Sequence, residues 1–291
     1  MTLEKDEMRL ENKVSIVTGG ASGMGAAEAA LFASEGSNVV VADMRIEDGI
    51  EVVDEIISSG GTATFMELDV TDEKRWEVVV AEVLNQFGTI DILVNNAALT
   101  YFVPIKDYVL KRWLKSWEVN LHAPFYLSHL VLGDMIAKNS GSIVNISSAA
   151  AVGPGSGPYG DDNNEDIQNK PRRQGGGTCY GAQKAALERF TQGLAEEVYD
   201  NGISVTCVSP SLVVPTPGTV FHNLVTGFDD PRGEQPELMA KATVLLASLE
   251  KEKISGRVTY SQEILKEYGL IDDAKGRGVD PNIPVSGYSR A

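Results

Sequence analysis

The sequence predicts an α/β protein: a doubly wound parallel sheet of about seven strands in a single domain, with helices on both faces. Three observations predict it. Short, near-continuous β-branched runs alternate with longer segments of helical spacing, as expected of strands buried on both faces by crossover helices. A glycine-rich turn follows the first run directly. No linker divides the chain, and no repeat of about 20–50 residues is present.

Taken in order, residues 14–17 read as a buried strand, then glycines, then a helix over 26–34. Residues 38–42 form the second strand. Residues 46–58 carry Ile46, Ile50, Val53 and Ile57 at helical spacing, which predicts these four as the apolar face of the second helix. A third strand at 62–67 precedes a helix over 72–86, and a fourth strand lies at 90–95. One long helical region, 110–137, leads to a fifth strand at 142–147. The rest reads as a helix at 180–200, a strand at 203–209, a helix at 236–249 and a short last strand at 257–260. Right-handed crossovers then place any ligand at the strands' carboxyl ends.

Two segments break this rhythm and are loop-like by composition. Residues 153–178 hold seven glycines and three prolines around an acidic and then a basic stretch. The other is the tail, residues 261–291.

Charge narrows the function. Twenty-five Lys and Arg against 41 Asp and Glu give −16 over 291 residues, a field that repels phosphate backbones and anionic lipid. No nucleic-acid or membrane partner is expected. Residues 1–10 lack the apolar core of a secretory signal, and no stretch approaches about 20 apolar residues, so a cytoplasmic protein is expected. Cys179 and Cys207 stand in no metal-ligand spacing, and His122, His129 and His222 form no tight cluster, so no metal is expected. His122 and His129 read as a polar helix face, Trp113 and Trp117 as core or subunit-contact residues, and Cys179 as an ordinary buried thiol.

Chemistry concentrates in a few motifs. The first strand runs into Thr18-Gly-Gly-Ala-Ser-Gly-Met-Gly25, in which Gly19, Ser22, Gly23, Met24 and Gly25 suit a turn hugging a pyrophosphate at a helix N-terminus. The spacing is GxxxGxG rather than GxGxxG, and a ligand-free turn has the same composition. Asp43 closes the second strand where an acid accepts from an adenosine ribose, favouring NAD over NADP; a solvated loop aspartate would look alike. Arg45 is the nearby cation that could soften that preference.

Tyr180 and Lys184 stand at i,i+4 on one helix face. A tyrosine pKa of about 10 must fall by roughly three units, about 4 kcal/mol, to give a base at neutral pH. One ammonium about 4 Å away at an effective dielectric near 20 supplies about that much. Alone the pair is a weak signal, because surface Tyr–Lys pairs are common.

Together TGGASGMG, Asp43, Asp69-Val70, Asn95-Asn96-Ala97-Ala98, Asn120, GSIVNISS (141–148) and YGAQK (180–184) resemble the classical short-chain dehydrogenase/reductase family, in its motif order, over about residues 13–260. The resemblance implies a Rossmann-type, NAD-dependent oxidoreductase interconverting a secondary alcohol and a ketone. Tyr180 would be the general base or acid, Lys184 would bind the nicotinamide ribose, and Ser148 would steady the substrate oxygen. Asn120 would hold Lys184 through a water, and Ser147 would be structural. Asp69 and Val70 would meet the adenine, although Asp69 also reads as a helix N-cap. Asn96, Ala97 and Ala98 would pass the cofactor's ribose, with Ala98 replacing the family's glycine. Val213 and Thr216 would meet the nicotinamide end. A homo-oligomer, dimer or tetramer, is implied.

The departures carry their own expectations. Tyr180 follows Ser148 by 32 positions, so residues 153–178 hold an insertion that reads either as a pocket wall or lid or as a surface excursion. Ser211 stands for the family's glycine and is expected to narrow the pocket. Ser261-Gln262-Glu263 replaces a glycine-rich turn, and the tail is expected to pack on a neighbouring subunit or cover the active-site mouth. Leu99, Tyr101, Phe102 and Leu212 border the expected pocket and favour a cyclic or aromatic apolar alcohol. Two other readings use the same residues: an epimerase or dehydratase with transient NAD chemistry, and a dinucleotide-sensing regulator.

Overall fold

The strands form where β-branched residues cluster and both faces can be covered. In the computed structural model, which describes residues 8–153 and 177–289, they are β1 (Val14–Thr18), β2 (Asn38–Asp43), β3 (Thr62–Glu67), β4 (Ile92–Asn95), β5 (Gly141–Ile146), β6 (Ile203–Ser209) and β7 (Val258–Tyr260). They make one parallel sheet in the order β3-β2-β1-β4-β5-β6-β7. Successive residues point to opposite faces, so Val39 and Val41 enter one core while Val40 and Ala42 enter the other.

The first face is covered by α1 (Gly23–Ser34), α2 (Ile46–Ser58), α8 (Pro236–Ser248) and α10 (Ser261–Glu267), with Phe32, Met239, Leu245 and Ile264 fully buried. The opposite face is covered by α3 (Glu73–Phe87), α5 (Ala123–Ala137) and α6 (Thr178–Val198), through Trp76, Val79, Leu127, Val131 and Leu194. Each such side chain contributes about 1.5–3 kcal/mol by leaving water. The shorter α4 (Leu110–Trp117), α7 (Pro217–Phe221) and α9 (Lys251–Ile254) complete the order. No helix among the described residues is long and apolar enough to cross a membrane.

Several sequence expectations are corrected. In α2 the buried positions are Gly49, Val53 and Ile56, while Ile46, Ile50 and Ile57 are exposed. Gly49 sets this rotation, because a Cβ there would stand 2.1 Å from the Phe65 ring. Helix α3 is capped by Asp72, whose carboxylate accepts from Arg75 N at 3.0 Å, and not by Asp69. The stretch 110–137 is not one regular helix, because residues Glu118–His122 between α4 and α5 form a π-turn. Strand β4 starts at Ile92, because Ile90 N donates instead to Asp134 Oδ2 at 3.0 Å.

The tail is not loop throughout. Residues 261–267 form α10, and the segment beyond that helix folds back onto its own chain. The insertion's residues 154–176 lie outside the described residues, and so does the choice between lid and surface excursion.

The chain leaves β1 toward β2 and β3, then returns to β4 on β1's other side. The carboxyl ends of β1 and β4 therefore flank the crevice where doubly wound sheets take ligands.

Candidate active site

At that crevice the glycine turn is held in shape by its neighbours. Asn96 Nδ2 donates to Thr18 O at 2.9 Å and Gly19 O at 3.2 Å, while Thr18 Oγ1 accepts from Asn96 N and Ala97 N, both at 3.0 Å. Gly19 and Gly23 adopt φ of 65° and 56°, backbone that side chains disfavour. A Cβ on Gly25 would stand 2.2 Å from Gly19 O. Ser22, at the N-cap of α1, makes no side-chain cap hydrogen bond, so the first N–H groups of the helix remain open to an anion. Met24 packs against the adjacent core. The cradle fits a dinucleotide pyrophosphate.

Gly25→Ala should weaken dinucleotide affinity by about tenfold or more, because its methyl must displace backbone. Titration calorimetry with NAD checks this, and wild-type affinity in the variant would show that the turn does not hold the dinucleotide.

Asp43 is 7% exposed. Its Oδ2 accepts from Ala21 N at 3.1 Å and its Oδ1 from Arg45 N at 3.0 Å, so the carboxylate ties β2 to the glycine turn. Arg45 pairs with Asp48 at 2.9 Å and with Asp43 at 3.7 Å. Asp69 Oδ1 accepts from Thr71 N and Oγ1, at 2.9 and 2.7 Å. Burial would raise its carboxyl, but Thr71 and Lys115 outweigh that and hold it below the ordinary value. Val70 O accepts from Trp76 Nε1 at 3.3 Å. Ala97 is half-buried and Ala98 exposed.

The strand end of β5 and helix α6 bring Ser148, Tyr180 and Lys184 together. The Ser148 hydroxyl caps a short 3₁₀ turn, accepting from Ala150 N at 3.1 Å. Lys184, 2% exposed, donates from Nζ to Ile146 O at 2.6 Å. Its ammonium lies over the Tyr180 ring, 5.6 Å from the centroid.

The expected depression of the phenol is not what this arrangement gives. Burial pushes Tyr180 up to about 12, with Ser148 pulling it back only in part. Burial also lowers Lys184 to about 8, against the upward pull of Cys207 and Glu188. Desolvation dominates at both groups, and residue spacing alone carries no sign of that burial.

Asn120 lies in the π-turn, and its side chain is fully engaged away from Lys184. Nδ2 donates to Leu99 O at 2.6 Å and Gln183 Oε1 at 2.7 Å, while Oδ1 accepts from Leu99 N at 2.9 Å. Extra turns of this kind recur at functional sites. Here the turn aims Asn120 at the strand-end loop that precedes Tyr101. Gln183 Nε2 in turn reaches Ser116 Oγ at 2.8 Å and Cys179 Sγ at 3.1 Å. Sequence reasoning missed Gln183, although it precedes Lys184 within the motif.

Ser211 is 6% exposed, and its Oγ accepts from Gln262 N at 3.1 Å. Its N–H donates to Ser261 Oγ at 2.9 Å and Glu234 Oε1 at 3.2 Å. Glu234 also accepts from Ser261 Oγ at 2.6 Å, Gln262 Nε2 at 2.7 Å and Leu212 N at 3.2 Å. Ser211, Ser261 and Gln262, three of the residues that depart from the family pattern, thus converge on one buried carboxylate, which burial raises despite these donors. Glu234 N donates to Val213 O at 3.0 Å, fixing the turn. Thr216 caps α7, accepting from Thr219 N at 3.2 Å, and its Cγ2 lies 3.0 Å from where a Cβ on Gly23 would stand.

Around the opening, Phe102 meets His222 edge-on at 4.9 Å, and Arg112 stacks over Tyr101 at 5.3 Å. His122 bonds Glu73 at 2.7 Å on the surface. Trp113 and Trp117 pack at 5.6 Å.

A dinucleotide cradle facing a Ser–Tyr–Lys group on a doubly wound sheet defines an oxidoreductase. Residues 13–160 and 170–223 match the family model for short chain dehydrogenase, and the chain belongs to that family. It is 31% identical over 253 residues, 85% of this chain and 94% of the relative, to a 2,5-dichloro-2,5-cyclohexadiene-1,4-diol dehydrogenase of Sphingobium indicum. It is 35% identical over 211 residues to a cyclopentanol dehydrogenase of Comamonas, covering 72% of this chain and 76% of the relative. Among solved structures, a gluconate 5-dehydrogenase of Beutenbergia cavernae, described as putative and NAD(P)-dependent with bound NADP, superposes with a TM-score of 0.71 at 29% identity, over 87% of this chain and 96% of the other.

Proposed function

We propose that the protein is an NAD-preferring dehydrogenase that interconverts an apolar cyclic secondary alcohol and its ketone. The observation that carries this is the buried Lys184, bonded to the end of β5 and lying over the Tyr180 ring, on the same parallel sheet whose β1 end carries the glycine cradle. Bound NAD supplies the hydride acceptor at the nicotinamide. Tyr180 takes the alcohol proton as hydride leaves the carbinol carbon, and returns it in the reverse direction. Ser148 donates to or orients the substrate oxygen. Lys184, with only Ile146 O as acceptor among the described residues, keeps donors for the nicotinamide ribose. Asn120 and Gln183 hold the loop beside the pocket.

NAD preference rests on Asp43. Its carboxylate is fixed at the end of β2, and the one guanidinium beside it, Arg45, is shared between two carboxylates, Asp43 and Asp48. A 2′-phosphate there would meet a negative charge. Asp43→Asn, which keeps an acceptor for Ala21 N, should narrow the NAD/NADP ratio of kcat/KM by about tenfold, and an unchanged ratio would remove Asp43 from cofactor choice.

The substrate class rests on the apolar border of Leu99, Tyr101, Phe102 and Leu212, and on relatives whose names specify ring alcohols. A homo-oligomer is part of the reading. The half-exposed groove of Trp117, Leu121, Phe125, Phe190 and Leu194, between α4–α5 and α6, offers an apolar face for a second copy. The test is a panel of cyclopentanol, cyclohexanol and 1-phenylethanol with NAD and with NADP. Formation of reduced nicotinamide, faster with NAD, is expected, and none with any alcohol would overturn the reading.

A further inference from the structure

At the carboxyl end of β5 and just beyond it, two consecutive residues are each engaged by α6. Ile146 O accepts from Lys184 Nζ at 2.6 Å. Ser147 Oγ donates to Glu188 Oε1 at 2.8 Å. Ser148 follows directly, its Oγ accepting from Ala150 N at 3.1 Å. Lys184 and Glu188 stand one turn apart on the same helix face, so they grip neighbouring residues of one strand end in register.

Glu188 has a second partner from far along the chain. Its Oε2 accepts from Ser286 Oγ at 2.6 Å, and Ser286 N donates to Tyr260 Oη at 2.9 Å. Glu188, Ser147, Ser286 and Tyr260 are all buried. The same tail segment is tied to the other side of the site. Arg277 N donates to Ser211 O at 3.0 Å, and Lys275 N to Gln262 Oε1 at 2.9 Å.

We infer that Glu188 and Ser286 are positioning residues: the C-terminal tail docks in cis on the carboxylate that fixes Ser147, and so sets the direction of Ser148 toward Tyr180. The inference rests on the reading of Ser148, Tyr180 and Lys184 as the catalytic group. A buried carboxylate is a costly way to pin a tail, since apolar contact does so without removing a charge from water. What the carboxylate adds is direction. Two hydroxyls donating to its two oxygens form charge-assisted bonds that fix both donors. Direction matters because misplacing a reacting group by about 1 Å costs on the order of 10²-fold in rate.

The test compares Ser286→Ala, Glu188→Leu, Glu188→Gln and the Ser286→Ala/Glu188→Leu double variant. Cyclopentanol, or whichever alcohol of the panel the wild type oxidises, serves as substrate with NAD. Hydrogen exchange over residues 147–153 is measured alongside. Ser286→Ala should lower kcat by about fivefold and Glu188→Leu by about thirtyfold, with KM for NAD within about twofold of wild type. Glu188→Gln should return kcat to within about threefold, because an amide can accept from one hydroxyl and donate to the other. The double variant should be no slower than Glu188→Leu by more than about twofold, since both act through one contact. Exchange over 147–153 should quicken in Ser286→Ala, a variant that removes only a hydroxyl and should fold. Wild-type kcat and wild-type exchange in Ser286→Ala would overturn the inference, as would a loss in Glu188→Leu confined to thermal stability. If the wild type oxidises no alcohol, it is the catalytic reading that fails; the exchange measurement still decides whether the tail holds Ser147.

Discussion

Tyr180→Phe is expected to lower turnover by about 10³-fold or more while NAD affinity stays within about threefold of wild type. The substitution removes one oxygen and leaves the ring on which the Lys184 ammonium rests, 5.6 Å from the centroid, so packing and the cation–π contact persist. What disappears is the hydroxyl that takes the alcohol proton in the proposed mechanism, while Lys184 keeps its bond to Ile146 O and its remaining donors. Steady-state kinetics together with calorimetric titration of NAD separate the two effects, and turnover within tenfold of wild type would assign the proton to another residue.

The protonation state sharpens this expectation. In the chain without cofactor, burial holds the phenol at about 12 and draws the lysine to about 8. Alcohol oxidation needs the deprotonated phenol, so its rate rises with pH through neutrality. Ketone reduction needs the protonated form and is favoured in the opposite direction. Oxidised nicotinamide, when bound, would carry a positive charge that favours the deprotonated phenol.

Much of this was legible in the sequence because it is local. Strands buried on both faces show as unbroken apolar runs, and the glycine turn, Asp43, Ser148 and the Tyr180–Lys184 spacing each sit at a strand end or on one helix face. What was not legible depends on tertiary placement. The apolar spacing of Ile46, Ile50 and Ile57 suggested a core face, yet the helix is rotated by the Phe65 ring resting on Gly49. Glu234 gathers donors from Ser211, Leu212, Ser261 and Gln262, which are separated from it by tens of residues and have no shared pattern. The tail's polar, glycine-bearing composition reads as loop because its partners, Glu188 and Ser211, lie far back in the chain. Glu188 alone left a trace: it stands four residues after Lys184, on the same helical face.

Glu28→Gln is expected to stabilise the protein in a pH-dependent way. Glu28 lies in α1 against α8, wholly buried, and burial raises its carboxyl to about 8 against a modest pull from Thr243. Thr243 Oγ1 lies 2.9 Å from both Glu28 Oε1 and Met239 O, and Glu28 Oε2 is buried with no hydrogen-bond partner among the described residues, so little compensates a charge on this carboxylate for its lost water. The folded state therefore keeps a proton that the unfolded chain releases above about 4.5, and this contribution to stability is complete below that pH and lost as pH rises through about 8. At pH 7 the shortfall is about 3 kcal/mol, from roughly 2.5 pH units at 1.36 kcal/mol each. Glutamine donates to Thr243 at every pH and removes most of that cost, less the desolvation of its second N–H. Urea unfolding should give the variant a midpoint close to wild type at pH 4.5, with an advantage that widens by pH 8 and is constant beyond. An advantage that does not change with pH would mean that Glu28 keeps its charge between the two helices, and that the helix carrying the glycine turn is held to α8 by some other pattern of bonds.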